Sequence, residues 1–253
     1  MKVLVSGASG NIGQVFREHY RNYYSLKLMY HRGIIKASPN EEVVQADITD
    51  FDSVLKAMEG TEAVVHLAAE ARDEAPWDSI LNLNLIGTYN VFEAAHRCGI
   101  KKIVYASSNH ACGFAVKESE LVGPDTPIRP TNLYGVSKVF GEALGRYYSD
   151  NFGLSVICLR IGAFLSKDWN LRDLFKKILS GEKAVEYPPQ KLIAMWISDY
   201  DVSQLIHKSL ESDVKFGIFY GTSDNSSRIF DITPAKEKLG YKPQDRAENY
   251  LAS

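Results

Sequence analysis

The sequence has few cysteines, no long apolar run and no long basic run, and each of these features excludes a class of protein. Its three cysteines, Cys98, Cys112 and Cys158, are an odd number without metal-type spacing, so free thiols in a reducing compartment are the simplest interpretation. No apolar run reaches the roughly 18 residues that a membrane span needs. With 29 basic and 31 acidic residues and only pairs of adjacent lysines, a general nucleic-acid binder is not expected.

What the sequence does contain is typical of an ordinary globular protein. Its 253 residues are 45% apolar, which predicts one large domain or one domain with a small lobe. The first residues run directly into a predicted strand, without a basic region, a long apolar core or a cleavage site. We therefore expect a cytoplasmic protein that binds neither membranes nor nucleic acid.

A glycine-rich turn follows the first predicted strand. Lys2–Ser6 is a run of β-formers that leads into Gly7, Gly10 and Gly13, and apolar residues then recur at helical spacing. Glycines let the backbone turn sharply and approach a pyrophosphate, which binds at the N-terminus of the helix. The spacing also fits a plain tight turn, but its place between strand and helix favours dinucleotide binding. Asn11 and Ile12, within the turn, are included in the predicted cofactor site.

The end of the second strand predicts which dinucleotide is preferred. An acidic residue there would bind a ribose 2′-hydroxyl, whereas an arginine would pair with a 2′-phosphate. The residues present are Tyr30, His31 and Arg32. The sequence therefore predicts NADP or NAD, with NADP slightly favoured and Arg32 as the phosphate partner. The alternative is that Arg32 is only a solvated loop residue.

Further cofactor contacts are predicted at the next two strand ends. Asp47, followed by Ile48, could reach the adenine amino group or simply cap the following turn. The small residues Ala68 and Ala69, after Leu67, allow close approach of a cofactor. Asn84 is polar within an apolar helical pattern, so it is either hydrogen-bonded structure or part of the site.

The candidate catalytic residues come from a strand end and a helix. Tyr134 and Lys138 lie four residues apart and so share one face of a helix, where the ammonium would favour the phenolate. Ser108, at the end of the strand from Lys102 to Ala106, would hold the substrate oxygen beside the phenol. Alone, this tyrosine-lysine spacing is a weak signal, because most such pairs are solvated helix faces.

Strands alternate with helices through the first part of the chain, which predicts an α/β fold of the Rossmann type, a doubly wound parallel sheet. We assign residues 1–162 to the NAD(P)-binding domain and residues 163–253 to a small substrate lobe packed on it as a single compact unit. The segment 111–130, with three prolines, is expected to be a loop over the cleft.

Together these motifs resemble the extended short-chain dehydrogenase/reductase family, which includes the NAD-dependent epimerases and dehydratases. The matching residues are Gly7, Gly10, Gly13, Leu67, Ala68, Ala69, Asn84, Gly87, Thr88, Ser108, Tyr134, Lys138 and Arg160. Within the family, the sequence is most similar to uronate dehydrogenases and related aldose 1-dehydrogenases. The resemblance implies that Asn109 and His110 contact the sugar, although His110 could equally be a structural hydrogen-bonder. Ile161, in the Arg-Ile-Gly run, is assigned to the cofactor site.

The sequence departs from this subgroup in the expected sugar pocket. Ala71 and Ala163 stand where the subgroup has serines, and the arginine for a sugar carboxylate is matched by position to either Arg172 or Lys191. The substrate could therefore be a uronate, or a neutral or phosphorylated sugar. No metal site is expected.

The resemblance implies oxidation of a cyclic sugar, a hexuronate or related aldose, at C1 to a lactone. Tyr134 would take the hydroxyl proton, Lys138 would stabilise the phenolate and bind the nicotinamide ribose, and Ser108 would orient the reacting oxygen. The alternatives are a sugar-nucleotide epimerase or dehydratase with retained NAD, and a dinucleotide sensor without catalysis. A homodimer is expected, formed through the helices of residues 81–95 and 134–148.

Overall fold

The computed structural model describes residues 1–33, 35–118 and 121–251. The strands are β1 Lys2–Ser6, β2 Ser25–Tyr30, β3 Glu41–Gln45, β4 Ala63–His66, β5 Lys102–Ser108, β6 Ser155–Ile161, β7 Ala163–Phe164, β8 Trp196–Ile197 and β9 Phe216–Gly221. The helices are α1 Asn11–Tyr20, α2 Phe51–Met58, α3 Trp77–Ser79, α4 Gly87–Arg97, α5 Gly113–Glu118, α6 Leu133–Phe152, α7 Leu171–Ser180, α8 Pro189–Ala194, α9 Asp199–Glu211 and α10 Thr233–Leu239. Over these ranges, no helix combines the length and the apolar character needed to cross a membrane.

Seven parallel strands form the main sheet in the order β3-β2-β1-β4-β5-β6-β9. Because the central strands are covered on both faces, β4 and β6 are buried along their whole length. One core contains side chains of α1 and α9, and the core on the other face contains those of α2 and α4. The predicted doubly wound α/β fold is confirmed.

The order of the strands reverses beside β1, since the chain goes from β1 outwards to β3 and then returns to β4 on the other side. In sheets of this kind, ligands bind in the crevice at the carboxyl ends of the strands on either side of such a reversal. The turn after β1 and the ends of β4 and β5 therefore meet at one edge of the sheet. This is the edge at which the sequence predicts the site.

A small satellite core lies beyond the sheet. Its buried members are Leu171, Phe175, Ile178, Ile193, Trp196 and Ala247. The two-residue strands β7 and β8 pair with each other and connect this lobe to the end of β6. However, β9 also comes from the second half of the chain and pairs with β6 in the main sheet. The predicted division at residue 162 therefore does not follow the edge of the sheet, and it stays a prediction about function.

The predicted loop over residues 111–130 is wrong in its first part. A 3₁₀ turn, Asn109–Cys112, leads directly into α5, Gly113–Glu118. The three prolines that suggested a loop stand at positions 124, 127 and 130, after this helix. Ala111, Cys112, Ala115 and Val116 are buried, so packing against the main core holds the helix in place.

The long helix predicted between residues 80 and 95 is present but not uniformly wound. Residues Ile80–Ile86 form a π-helical segment between α3 and α4. A π-helical segment adds a residue to the turn and changes which side chains point inward, and such segments are common at functional sites. Here the segment buries Asn84, which is only 1% exposed.

Candidate active site

The turn between β1 and α1 is built so closely that it admits only glycine at key positions. Gly7 has a φ of +71°, in the left-handed region, and a Cβ there would lie 2.7 Å from the backbone nitrogen of Ala68. A Cβ at Gly13 would lie 2.6 Å from the carbonyl oxygen of Gly7. Gly10 precedes α1 and brings no side chain to cap it. The first N–H groups of α1 therefore remain available to an anionic group, and the cradle fits a pyrophosphate.

Next to the glycine turn, a cavity of about 380 Å³ lies at the ends of β2 and β3. His31, Arg32, Asp47 and Ile48 all line it, as predicted for the adenosine end of a dinucleotide. Asp47 Oδ1 accepts hydrogen bonds from the backbone N–H of Thr49 (2.9 Å) and from its hydroxyl (2.8 Å), and these bonds lower the pKa of Asp47. Asp47 thus caps the following turn and lines the cavity at the same time.

A buried hydrogen-bond chain holds the segment Leu67–Ala69 against the glycine turn. Ser6 Oγ accepts hydrogen bonds from the backbone N–H groups of Leu67 (3.2 Å) and Ala68 (3.4 Å). It lies 2.7 Å from Nδ1 of His66, whose Nε2 is 3.3 Å from the hydroxyl of Thr88. Burial lowers the pKa of His66 to about 3, so its ring is neutral. It follows that Ser6 donates to Nδ1 and that Nε2 donates to Thr88.

Asn84 also holds the segment after β4 in place, and it is not part of the cavity wall. Its Oδ1 accepts a hydrogen bond from the backbone N–H of Glu70 at 2.7 Å, and its Nδ2 donates to the carbonyl of Glu70 and to Ser137 Oγ, both at 2.9 Å. These bonds connect the segment after β4 with α6. Of the two interpretations left open by the sequence, the structure favours hydrogen-bonded structure.

The three predicted catalytic residues lie together on the wall of one cavity. Ser108 ends β5, and Tyr134 and Lys138 lie one turn apart near the start of α6. Lys138 Nζ lies 5.3 Å from the centre of the Tyr134 ring and donates a hydrogen bond of 2.8 Å to the carbonyl of Ala106. The N-cap of α6 is Asn132, whose Oδ1 accepts from the backbone N–H of Gly135 at 2.8 Å.

Burial controls the protonation of this pair. Desolvation raises the pKa of Tyr134 to about 12, and the hydrogen bond from Ser108 is the main effect in the other direction. Desolvation lowers the pKa of Lys138 to about 7. The residues of the cleft alone therefore do not produce the acidic phenol expected from the sequence, because the cost of burying a phenolate exceeds the stabilisation by a nearby amine.

A short turn after β5 delivers the residues that are predicted to contact the sugar. Ser108 Oγ accepts from the backbone N–H of His110 at 3.2 Å and lies 3.2 Å from Asn109 Oδ1. Asn109 Nδ2 is 3.6 Å from the sulfur of Met195. The His110 ring stands edge-on to those of Tyr134 and Tyr187, each at a centroid distance of 5.5 Å. All three predicted residues line the cavity with Tyr134.

This main cavity has a volume of about 680 Å³ and continues from the glycine turn into the lobe. The predicted residues that line it are Gly7, Gly10, Asn11, Ile12, Gly13, Leu67, Ala69, Ser108, Asn109, His110, Tyr134, Lys138 and Ile161. Ala68 lines the adjoining cavity at the adenosine end. The two cavities share Gly7, Gly10, Leu67 and Ala69, so together they accommodate an extended ligand.

The two residues predicted to bind a substrate anion lie elsewhere. Arg172 is exposed on α7 and does not line the cavity. Lys191 donates hydrogen bonds to the carbonyls of Val116 (2.7 Å) and Lys117 (2.9 Å), so it connects α8 to the end of α5. Ala71 and Ala163, the two departures from the serine pattern, do line the cavity.

Several lining residues were not predicted. Asp73 and Glu186 lie beside His110. A carboxylate oxygen of each acid and a ring nitrogen of His110 all lie within 4.8 Å of one another. Lys183, with an exposed side chain, also lines the cavity. These residues lie in segments without a periodic pattern, after β4 and between α7 and α8. A search for charged residues near the motif after β4 could have found Asp73, but no sequence signal marks Glu186.

A buried ion pair fixes the catalytic helix to the sheet. Arg160 on β6 donates two hydrogen bonds of 2.8 Å to the carboxylate of Glu142 on α6, and the two side chains are 1% and 3% exposed. Ser107, next to Ser108, donates to the same carboxylate at 2.6 Å. The pair therefore sets the position of Tyr134 and Lys138 relative to the end of β5.

Comparison with known proteins is consistent with this geometry. The model of the NAD dependent epimerase/dehydratase family matches residues 3–211. An NAD-dependent glucose-6-phosphate dehydrogenase from Haloferax volcanii is 38% identical, over 98% of this chain and 95% of that protein. An L-arabinose 1-dehydrogenase (NAD(P)(+)) from the same organism is 35% identical, over 97% of each. The crystal structure of a uronate dehydrogenase mutant from Agrobacterium tumefaciens, complexed with NAD, is 33% identical with a TM-score of 0.81, covering 98% of this chain and 86% of that one.

Proposed function

Because the chain belongs to the NAD dependent epimerase/dehydratase family, we propose that it oxidises a cyclic sugar at C1 to the lactone, with NAD or NADP as the hydride acceptor. One observation carries this proposal: Ser108, Tyr134 and Lys138 line the same cavity as the glycine turn. A hydroxyl placed between Ser108 and Tyr134 would therefore lie within reach of a nicotinamide held by that turn. The sugar and uronate dehydrogenases among the relatives support it.

The residues of the chain divide the proton chemistry between them. A nicotinamide held beside the glycine turn would supply the acceptor for the hydride that leaves C1. Tyr134 takes the proton of the C1 hydroxyl, and Ser108 orients that oxygen by a hydrogen bond. Lys138 places its amine 5.3 Å from the phenol ring, where its protonated form stabilises the phenolate. Since burial sets the pKa of Lys138 to about 7, its charge is gained and lost near neutral pH.

We also propose a preference for NADP, which Arg32 would determine. Arg32 lines the adenosine cavity, and the end of β2 carries Tyr30, His31 and Arg32 without an acid. The carboxylate nearby is Asp47, which lies 3.4 Å from His31 and caps the turn to Thr49. We expect a higher kcat/KM for NADP than for NAD, and the Arg32→Ala variant should lose that difference. A higher kcat/KM for NAD in the native protein would contradict the preference.

Cofactor reduction, followed by its near-ultraviolet absorbance, tests the proposed reaction. The purified chain would be supplied with NAD or NADP and with glucose, galactose, arabinose, glucuronate, galacturonate or glucose 6-phosphate. Reduction of free cofactor by one of these sugars, with formation of its lactone, is the expected result. No reduction with any of them would contradict it. Conversion of a sugar nucleotide with cofactor retained on the protein would instead identify an epimerase or dehydratase.

We further propose a homodimer and a cytoplasmic location. The outer faces of α4 and α6 carry exposed aromatic side chains, with Tyr89 46%, Tyr147 52% and Phe152 46% exposed, and these two helices pack side by side. Light scattering should give twice the 28.3 kDa of one chain, and a mass of 28.3 kDa would contradict the dimer. The cysteines Cys98, Cys112 and Cys158 are free thiols, which suits a reducing compartment.

A further inference from the structure

The wall of the main cavity contains a cluster of three polar side chains. His110 Nε2 lies 3.7 Å from Asp73 Oδ1, and His110 Nδ1 lies 3.4 Å from Glu186 Oε2. All three line the cavity, and the ring of His110 is in edge-on contact with that of Tyr134. The cluster is therefore next to the position at which the sugar must bind if Tyr134 is the base.

The cap of the catalytic helix fixes which nitrogen of His110 carries the hydrogen. Asn132 Oδ1 accepts from the N–H of Gly135, so the amide nitrogen of Asn132 faces the other way, 3.1 Å from His110 Nδ1. An amide nitrogen can only donate, so Nδ1 is the acceptor. Desolvation lowers the pKa of His110, and the carboxylates of Glu186 and Asp73 act in the opposite direction. Nε2 therefore carries the hydrogen, and its distance of 3.7 Å from Asp73 Oδ1 is longer than a hydrogen bond.

The two carboxylates supply hydrogen-bond acceptors at the same place. Glu186 is held by Thr131, whose hydroxyl donates to Oε1 at 2.7 Å, which leaves Oε2 on the side of His110. Asp73 lies 3.4 Å from the amide of Asn132 and is half exposed to the cavity mouth. Desolvation raises the pKa of Asp73; His110 acts in the opposite direction, and the neighbouring charge of Glu186 adds to the rise. A further negative charge beside these groups would be unfavourable.

We propose that Asp73, His110 and Glu186 form a hydroxyl-recognition cluster that selects an uncharged aldose and rejects uronates and sugar phosphates. This proposal rests on the proposed function and specifies its substrate class. A sugar hydroxyl can donate a hydrogen bond to a carboxylate of the cluster and accept one from Nε2–H of His110. A carboxylate or phosphate on the sugar can accept from Nε2–H but has no hydrogen to donate, and the two acids repel it. Ala71 and Ala163 contribute no hydrogen-bonding side chain to the same cavity.

The positions of the basic residues agree with a preference for uncharged sugars. Arg172 lies outside the cavity, and Lys191 is hydrogen-bonded to carbonyl groups of α5. Lys117 lies 3.7 Å from Glu186 and so already has a carboxylate beside it. Besides the catalytic Lys138, Lys183 lines the cavity and could attract an anion, and its side chain is exposed.

Matched sugar pairs test the proposal on the purified protein. Galactose and galacturonate differ only at C6, and glucose and glucose 6-phosphate differ only by the phosphate. The kcat/KM for the neutral member should exceed that for its charged partner by at least about tenfold. The isosteric variants Asp73→Asn and Glu186→Gln should each reduce this ratio by roughly tenfold, because each removes one negative charge. Asp78→Asn, at an exposed position outside the cavity lining, is the control and should leave the ratio unchanged.

The outcomes separate failure of this proposal from failure of the proposed function. Equal or faster turnover of the charged partner by the native protein would overturn the substrate class and leave sugar oxidation intact, and loss of that turnover in Lys183→Ala would locate the anion at the rim. A neutral preference that neither variant changes would overturn the role of the cluster. No reduction with any sugar would overturn the proposed function, and this proposal with it.

Discussion

At the scale of single residues, burial in the cleft is the main influence on the catalytic pair. Desolvation raises the pKa of Tyr134 to about 12 and lowers that of Lys138 to about 7. Among the protein's own groups, the state with the fewest buried charges is therefore a neutral phenol beside an amine that titrates near neutrality. Tyr134 can act as a base near neutral pH only when further positive charge, or the Lys138 ammonium, stabilises its phenolate.

Replacing Tyr134 by phenylalanine removes the base and leaves the ring that packs against His110. We expect kcat to fall on the order of 10²- to 10⁴-fold, the usual contribution of a positioned acid or base. Stopped-flow or steady-state cofactor reduction measures the loss. Cofactor affinity, measured by calorimetry, should change little, because the glycine turn is untouched. A variant that retains full activity would remove Tyr134 from the mechanism.

The sequence identified the residues whose role depends on local geometry. Gly7 and Gly13 are set by a backbone turn, and Tyr134 and Lys138 by the spacing of one helix. It did not identify Asp73 or Glu186, because their place beside His110 depends on how separate segments pack around the cavity. Counting residues from the motifs also could not locate the residue that binds a substrate anion. Lys191 donates a hydrogen bond to the end of α5, and the sequence predicted a loop where this helix lies.

At the scale of elements, the turn between β1 and α1 must remain free of side chains. Gly7→Ala would force an L-residue into the left-handed region and place its Cβ 2.7 Å from the backbone of Ala68. Such strain costs about 1–3 kcal/mol, so we expect cofactor affinity to fall by roughly tenfold or more. Titration calorimetry with NAD or NADP gives the value. Gly123→Ala, where the nearest atom is 3.9 Å from the new Cβ, serves as the control.

The catalytic helix is fixed to the sheet by the Glu142–Arg160 pair. Glu142→Gln keeps the shape of the side chain but leaves the buried guanidinium of Arg160 without its counter-charge. Breaking a buried pair in this way typically costs about 3–5 kcal/mol, and we expect a loss of that order in the free energy of unfolding. Urea denaturation measures it. Asp150→Asn breaks the exposed pair with Arg146 and should hardly move the midpoint. Equal effects of the two substitutions would contradict this account.

Elements with strong periodicity were predicted well, and those that depend on tertiary packing were not. The six strands from β1 to β6 are short apolar or β-branched runs, and the helices between them have apolar stripes. By contrast, α5 has six residues and is stabilised mainly by the burial of Ala115 and Val116. The two-residue strands β7 and β8 are too short to show alternation, and they exist because they pair with each other.

At the scale of the whole molecule, buried histidine makes stability depend on pH. The pKa of His66 is lowered to about 3, below the value of about 6.5 expected in the unfolded chain. Between these values the unfolded state binds the extra proton, so the free energy of unfolding rises with pH, by roughly a few kcal/mol. Lys138, with its pKa of about 7, is protonated in both states over most of this window and adds little to the slope.

Urea unfolding at pH 4, 5 and 6.5 tests this assignment, with His66→Gln as the variant. The glutamine has no titrating ring, so the rise in stability with pH should be smaller than in the native protein. His96→Gln changes an exposed histidine and should keep the native slope. If the native protein and His66→Gln show the same slope, the pH dependence must arise from another group.

The whole fold also shows why the pairing of β9 with β6 could not be predicted from the sequence. The chain leaves the main sheet after β6, builds the lobe, and returns as β9 to complete the sheet beside β6. Long-range pairing of this kind has no local signature, because β9 reads as one more short apolar strand. The cavity accordingly has one wall from the sheet edge and another from the segment 183–187 of the lobe.

The most direct test of C1 oxidation is to follow the hydrogen itself. The purified protein would be incubated with oxidised cofactor and an aldose carrying deuterium at C1, and the released cofactor would be analysed by mass spectrometry. Hydride transfer from C1 predicts reduced cofactor that contains the deuterium, in an amount equal to the lactone formed. Reduced cofactor without deuterium, or sugar converted while no reduced cofactor is released, would contradict the account.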